Sequence, residues 1–232
     1  MPAARRLSQT LGVMRVLAIS GSLRTASINS ALLRTAARLA PPEIEITLCS
    51  VVGELPLFNP DLELHVPPSV ARLRAEVAAA DALLIASPEY AHGVTGTIKN
   101  ALDWLVSFEA FVNKPVAVLN ASPRAHHADS ALRETLRTMS AVIVEAASVS
   151  IPLLGANITE AGMTELPSIV HAIRESFAAL YSVVVLQQPE RSPHFQLIQD
   201  DAQPFLQADP PTAVHLSQTL AVEGNSRCAK LL

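Results

Sequence analysis

Residues 14–39 read MRVLAISGSLRTASINSALLRTAARL, and this stretch decides the fold. Met14–Ser20 is a short apolar run with the length of a buried strand. A polar turn follows it, and from Ile28 to Leu39 apolar residues recur at near-helical spacing until Pro41 ends the run. The stretch therefore predicts a strand, a tight polar loop and a helix, which is the repeating unit of an α/β protein.

The same alternation continues along the chain. Further apolar runs predict strands over residues 44–50, 82–87, 115–121 and 141–150, and the third and fourth strands are apolar almost throughout, as in strands buried on both faces. Helical patterns predict helices over 70–80, 97–106, 128–139 and 166–180, the first of them capped by Ser69. Five strands separated by helices predict a flavodoxin-like, doubly wound parallel sheet of order 2-1-3-4-5.

Composition limits what the chain can be. Its 232 residues are half hydrophobic and 16% charged, which is typical of a folded globular domain. A formal net charge of −4 argues against nucleic acid or an acidic membrane surface as a partner. Two cysteines, Cys49 and Cys228, cannot form a disulfide framework, a four-thiolate zinc site or a cysteine-ligated iron–sulfur cluster.

The chain divides into three parts by pattern. Residues 1–13 are expected to form a leader, residues 14–186 the α/β domain, and residues 187–232 a proline-punctuated tail. Two arginines in the leader faintly suggest a signal peptide, but Arg15 interrupts the apolar stretch and no small-residue cleavage site follows. We find no uninterrupted apolar run of the roughly 18 residues needed for a membrane span. A cytoplasmic protein without a membrane partner is therefore expected.

Ligands of such sheets bind beyond the carboxyl ends of the strands, so three loops are of interest. The first, residues 20–29, leads into a helix whose free N–H groups point into it. Ser22, Ser27 and Asn29 add uncharged donors, and Arg24 adds a planar cation suited to phosphate. The loop matches neither the dinucleotide nor the nucleotide-hydrolase glycine motif, so it predicts a phosphate monoester site. Ordinary turn chemistry, with Ser27 capping the helix and Arg24 solvated, is the alternative.

The other two loops are less specific. The second loop, residues 87–93, reads SPEYAHG. Its backbone N–H groups could reach the polar edge of a flat heterocycle, with Tyr90 near the face of the ring. Alternatively, the segment is a tight turn with Tyr90 packed beneath it. In residues 120–129, adjacent histidines near Asp129 suggest a metal, but neighbouring imidazoles on a loop rarely converge. With no G-x-S-x-G motif either, we expect no metal site and no catalytic side chain.

Taken together, these segments resemble the NADPH-dependent FMN reductase family, which is flavodoxin-like and includes bacterial quinone, chromate and azo-dye reductases. The resemblance rests on three segments and covers about residues 14–180. They are GSLR at 21–24 followed by Ser27 and Asn29, then PEY at 88–90, and GTIKNALDW at 96–104. The stretch LPLFNPD at 55–61 is also similar to that family.

The resemblance implies an FMN site and its residues. The residues that would bind the phosphate are Ser22, Arg24, Ser27, Ile28 through its N–H, and Asn29. The isoalloxazine would be contacted, chiefly through backbone, by Pro88, Glu89, Tyr90 and His92. The pyrimidine end or the ribityl chain would be covered by Ser122, Pro123 and Arg124. It also implies a homodimer or homotetramer that involves the helix bearing Trp104. From the residues alone, Trp104 could be core or interface, and we favour the interface.

Three positions depart from the family pattern. Ala91 replaces an asparagine, Thr95 replaces a proline, and the third loop carries Arg124-Ala125-His126-His127 where glycines are usual. Bulkier residues in that loop would narrow the pocket, alter substrate choice or weaken flavin binding.

The implied activity is ping-pong hydride transfer from NADPH to N5 of FMN and on to a second acceptor, with the preference for NADPH resting on the resemblance alone. Two other functions remain open. One is a flavodoxin-like FMN-binding electron carrier, and the other is a non-enzymatic interaction protein with a degenerate flavin site.

Overall fold

A computed structural model of the chain describes residues 12–153, 155–156 and 158–187. Within them lies a five-stranded parallel sheet of order β2-β1-β3-β4-β5, which confirms the predicted topology. The strands are β1 Met14–Ser20, β2 Ile44–Leu48, β3 Ala82–Ala86, β4 Pro115–Val118 and β5 Val142–Ile143. The helices are α1 Ile28–Leu39, α2 Pro68–Ala79, α3 Gly96–Asp103, α4 His126–Thr138, α5 Glu160–Glu165 and α6 Pro167–Gln187.

Side chains alternate across the sheet and build one apolar layer on each face. Along β1, Val16 and Ala18 pack with α1, α5 and α6. Leu17 and Ile19 point to the other face, where α2, α3 and α4 cover the sheet. Burial on both faces explains why the central strands are apolar almost throughout.

Several predicted elements differ from the observed ones: β2 and β4 end at Leu48 and Val118, before the predicted residues 50 and 121, and α3 ends at Asp103 rather than at residue 106. β5 is only two residues long because Glu145–Ala147 forms a 3-10 turn. There the Ser148 hydroxyl accepts a hydrogen bond from Val118 N–H at 3.0 Å, so a side chain replaces a rung of the ladder. The predicted helix over 166–180 is also incomplete, because α6 runs on to Gln187 and a short α5, capped by Thr159, precedes it.

Helix ends also differ in detail. The predicted cap Ser69 lies inside α2, which starts at Pro68 and has Pro67 at its N-cap without a side-chain hydrogen bond. Helix α1 has the predicted limits and the predicted Ser27 cap. The tail, apart from Gln187, and residues 1–11 of the leader lie outside the described residues, so the predicted domain limits stay a prediction.

Helix α6 is long and apolar enough to cross a membrane by length and composition. Its residues Pro167–Leu186 have a mean hydropathy of 1.5, and 33% of that window is buried. Ile173, Phe177 and Leu180 nevertheless pack into the apolar layer beside the sheet. Core helices of water-soluble proteins share this composition, so a single such helix is weak evidence for a membrane span.

Trp104 is a core residue, so the preference for an interface position was wrong. The side chain is fully buried within this chain, and its ring packs edge-on against Phe58 at 5.0 Å between centroids. Its Nε1–H donates to the Pro56 carbonyl at 2.8 Å. The segment that resembles the family between β2 and α2 therefore covers the indole and satisfies its only donor.

Candidate active site

A cleft of about 300 Å³ opens at the carboxyl ends of β1, β3 and β4, and we call it the strand-end cleft. All three loops singled out in the sequence contribute to it. Its lining comprises Ser22, Arg24, Ala26, Ser27, Ile28, Asn29, Ser87, Pro88, Glu89, Tyr90, Asn120, Ala121, Ser122, Arg124 and Ala125. Ten of the twelve predicted binding residues thus line one cleft, and His92 and Pro123 are not among its lining residues.

The first loop is held close to β3. Gly21 N–H donates to the Ala86 carbonyl at 2.8 Å. A Cβ on Gly21 would lie 2.1 Å from Ser87 Oγ and 2.6 Å from Ser87 Cβ, so only glycine fits without movement. The chain can therefore turn directly from β1 into the cleft beside the second loop.

The first turn of α1 forms one end of the cleft and has no acidic residue. The Ser27 hydroxyl accepts from Ser30 N–H at 3.3 Å and keeps its own proton free to donate. Asn29 is only 5% exposed, and its Oδ1 is buried without a hydrogen-bond partner among the described residues. An orphaned buried amide oxygen is costly unless a ligand satisfies it. The helix N-terminus, these polar groups and the exposed Arg24 fit a phosphorylated polyhydroxy ligand.

The second loop is a tight turn with an outward tyrosine. Tyr90 and Gly93 exchange backbone hydrogen bonds of 3.2 and 3.0 Å around Ala91 and His92, whose φ angles are +50° and +59°. Two consecutive left-handed residues define a type I′ turn, in which asparagine and glycine are preferred. Tyr90 is 60% exposed and lies beside the cleft rather than beneath the turn.

Thr95, which the sequence indicated only as a departure from the family pattern, links the first loop to the start of α3. It is 4% exposed and caps α3 by accepting from Ile98 N–H at 3.3 Å. Its hydroxyl donates to the Gly21 carbonyl at 2.7 Å. A threonine directly before a helical pattern is a capping signal, but the bond to Gly21 depends on tertiary structure.

Glu89 points its carboxylate at the third loop. Oε2 accepts from Ala128 N–H at 2.9 Å, and Oε1 lies 3.0 Å from His92 Nδ1. These bonds, the one from Ala128 first, hold the pKa of Glu89 below its usual range. The side chain of Glu89 therefore joins two walls of the cleft, a role that the sequence did not indicate.

The third loop is braced by its own polar side chains. Asn120 Oδ1 accepts from Ser122 N–H at 2.9 Å, and the Ser122 hydroxyl accepts from Arg124 N–H at 3.3 Å. Ser122 is buried and Arg124 is exposed, and both line the cleft. Asn120 was missed as a lining residue because its role is to hold the loop, which leaves no motif.

The histidine rings of this region contact one another, edge-on between His92 and His127 and tilted between His126 and His127. The rings of His92 and His127 are 4.5 Å apart between centroids, and those of His126 and His127 are 4.1 Å apart. Among the residues described, no group of three or more histidine, cysteine, aspartate or glutamate side chains could hold a metal ion. The cluster instead packs the second loop against the start of α4.

Comparison with known proteins agrees with this geometry. The model of a family described as NADPH-dependent FMN reductase matches residues 14–154. An NAD(P)H-dependent FMN reductase of Pseudomonas aeruginosa is 47% identical over 112 residues, which are 47% of this chain and 60% of that protein. A quinone reductase of Pseudomonas putida is 37% identical over 131 residues, 53% of this chain and 70% of that protein. The first of these relatives is thus spanned over less than two thirds of its length.

A solved structure supports the same assignment. FerB, a flavoenzyme NAD(P)H:(acceptor) oxidoreductase from Paracoccus denitrificans, aligns with a TM-score of 0.62 and 29% identity, over 72% of this chain and 96% of that one. The match of the family model covers more than half of the chain and includes all three loops of the strand-end cleft. The chain belongs to the NADPH-dependent FMN reductase family.

Proposed function

We propose that this protein is an NAD(P)H-dependent FMN reductase, a quinone-type oxidoreductase that holds FMN in the strand-end cleft. The observation that carries the proposal is the buried Oδ1 of Asn29, which has no partner among the described residues, at an acid-free helix N-terminus lining that cleft. The names of the relatives and of FerB support the same activity.

The phosphate of FMN would lie at the first turn of α1. Backbone N–H groups around Ile28 and the hydroxyls of Ser22 and Ser27 would donate to its oxygens. Arg24 would supply the counter-charge for a dianion, since no ion pair within the described part of the chain involves Arg24. The Asn29 oxygen would accept from a ribityl hydroxyl.

The ring would lie between the second and third loops. Pro88, Glu89 and Tyr90 would contact it through backbone, with His92 at the outer edge of the turn, and Ser122, Pro123 and Arg124 would close over the other end. The exposed ring of Tyr90 would stack beside the flavin or its partner. No side-chain acid or base is required of this chain.

When bound, FMN would supply an N5 atom that accepts a hydride from NADPH and returns the electrons to a second acceptor such as a quinone. The protein's contribution is to fix the ring and leave one face open. The nicotinamide and the acceptor would then use the same opening in turn, which is ping-pong kinetics.

We also propose a cytoplasmic homodimer or homotetramer. Leu57 and Leu64, in the segment that covers Trp104, are 83% and 86% exposed, and Val106 beyond α3 is 63% exposed. Exposed large apolar side chains of this kind are common at subunit interfaces. Light scattering on the purified protein tests the assembly directly, and a monomer at micromolar concentration would contradict it.

The activity is tested by an absorbance spectrum after FMN reconstitution and desalting, followed by anaerobic addition of NADPH. We expect retained flavin bands that NADPH bleaches. Retention that neither NADPH nor NADH bleaches would indicate an electron carrier instead. A protein that neither retains FMN nor oxidises NADPH with free FMN would contradict the proposal and favour an interaction protein.

A further inference from the structure

The carboxylate of Glu89 connects two walls of the strand-end cleft that are 39 residues apart in sequence. One oxygen accepts from Ala128 N–H in the first turn of α4, and the other lies 3.0 Å from His92 Nδ1 in the second loop. The Glu89 side chain is 13% exposed and its bond to Ala128 N–H is partly buried, whereas the His92 ring on its other side is 78% exposed.

The described part of the chain provides no other side-chain cap for the start of α4. Its N-cap residue is Ala125, which has no side chain that could accept from the free N–H groups of the first turn. Glu89 provides that acceptor from a different loop, and its negative charge lies at the positive end of the helix. The carboxylate thereby fixes α4 relative to the second loop.

On the other side, Glu89 holds a turn that is under strain. His92 and Ala91 both have left-handed backbone conformations that cost energy in residues with a Cβ. The bond to the His92 ring restrains this turn, and that ring packs against His127 of α4. This edge-on contact between the two imidazoles is a second link between the same two elements.

We propose that Glu89 is a positioning residue that sets the spacing between the second and third loops for the flavin ring, an inference that rests on the proposed function. Glu89 and Tyr90 line one side of the cleft, and Asn120, Ser122 and Ala125 line the other. The third loop lacks the glycines usual in the resembled family, so its position depends more on such a tie.

The titratable side chains that act on Glu89 are His92 of its own loop and His127 of α4. Because the pKa of Glu89 is lowered, mainly by the Ala128 N–H, the carboxylate is ionised at neutral pH. The tie is complete above the ordinary glutamate range and is lost as the pH falls through the lowered value.

The test compares Glu89→Ala, Glu89→Gln and the control Glu160→Ala. Glu160, the first residue of α5, forms ion pairs with Arg34 and Arg38 of α1 and does not line the cleft. Hydrogen exchange is measured on FMN-free protein over residues 88–93 and 126–130, and FMN affinity is measured by fluorescence from pH 3 to 8.

We expect Glu89→Ala to speed exchange in both segments and to weaken FMN binding about five- to tenfold. Glu89→Gln keeps an acceptor for Ala128 N–H, so it restores most affinity at pH 7, but it loses the additional decline in affinity that the wild type shows at acid pH. Glu160→Ala changes neither segment nor FMN affinity.

Unchanged exchange in Glu89→Ala would overturn the inference, and so would faster exchange with unchanged FMN affinity. If Glu89→Ala does not fold, the comparison of Glu89→Gln with wild type across pH decides: identical profiles overturn the inference. Failure of the wild type to bind FMN would overturn the proposed function, while exchange would still decide whether Glu89 couples the two loops.

Discussion

The hydroxyl of Thr95 donates a hydrogen bond of 2.7 Å to the carbonyl oxygen of Gly21, across 74 residues of sequence. Thr95 Oγ1 also accepts from Ile98 N–H at 3.3 Å and so caps α3. One buried side chain therefore joins the turn after β1, where a phosphate would bind, to the helix that follows the second loop.

Replacing Thr95 by alanine removes both bonds and leaves the Gly21 carbonyl without this donor. We expect a loss of unfolding free energy of about 1–2 kcal/mol, the usual cost of deleting an N-cap. Urea denaturation measures it. Thr95→Ser keeps the hydroxyl and is expected to stay close to wild type; equal losses in both variants would show that the methyl group, not the hydrogen bonds, matters.

Gly21 is required by its neighbour rather than by its backbone angles. Gly21→Ala would place a Cβ within 2.6 Å of the Ser87 Cβ, so we expect destabilisation of about 1–3 kcal/mol, as for other overpacked sites. Because Ser87→Gly removes the opposing atoms, the double variant should recover part of that loss. A double-mutant cycle without coupling would contradict the proposed steric cause.

Arg24 is expected to contribute to FMN affinity through a charge-assisted bond to the phosphate. Arg24→Ala should weaken binding by roughly 1.5–3 kcal/mol, or about 10- to 150-fold, while riboflavin affinity changes little. Fluorescence titration with both flavins measures the difference. The matched control is Arg72→Ala, because Arg72 of α2 is an exposed arginine that pairs with Glu54 away from the cleft. This variant should leave the affinities for both flavins unchanged.

The parts of this structure that could be predicted are those set by local pattern. The observed limits of β1 and α1 agree with the predicted ones. A strand buried on both faces and a capped amphipathic helix each produce a recognisable pattern among residues that are close in sequence. The length of β5 was overestimated because apolar residues continue beyond Ile143 in the sequence. In the structure, the 3-10 turn at Glu145–Ala147 and the hydrogen bond to Ser148 interrupt the strand pairing there. An edge strand is one place where tertiary hydrogen bonds override such a pattern.

The site shows the same division. Motif positions such as Ser22, Glu89 and Tyr90 lie on the cleft as expected, whereas the side-chain contacts that tie its walls together were missed. Glu89 reaches Ala128 and Thr95 reaches Gly21 only once the sheet has brought distant loops together. Trp104 was misplaced for the same reason, because its acceptor at Pro56 is 48 residues away.

The turn at Ala91 offers a gain in stability. Its φ of +50° is disfavoured for alanine and tolerated by asparagine, the residue usual there in the resembled family. Ala91→Asn should raise the unfolding free energy by about 0.5–1 kcal/mol. Ala91→Val, with a β-branched side chain, should lower it, and a change of the same sign in both variants would contradict the assignment of strain to this turn.

Cys49 is expected to be almost unreactive while the protein is folded. Burial, with a smaller effect from neighbouring Glu76, raises the pKa of the Cys49 thiol to about 12. The thiolate is the nucleophile, and its fraction at pH 8 falls to about 10⁻⁴, against roughly a quarter for an unperturbed thiol.

In a Cys228→Ser background, alkylation of Cys49 by iodoacetamide at pH 8 should therefore be roughly a thousandfold slower than for a free cysteine. The rate should rise about tenfold per pH unit up to the raised pKa and become ordinary in denaturing urea; rapid labelling of the folded chain at pH 8 would show that the thiol is not held protonated.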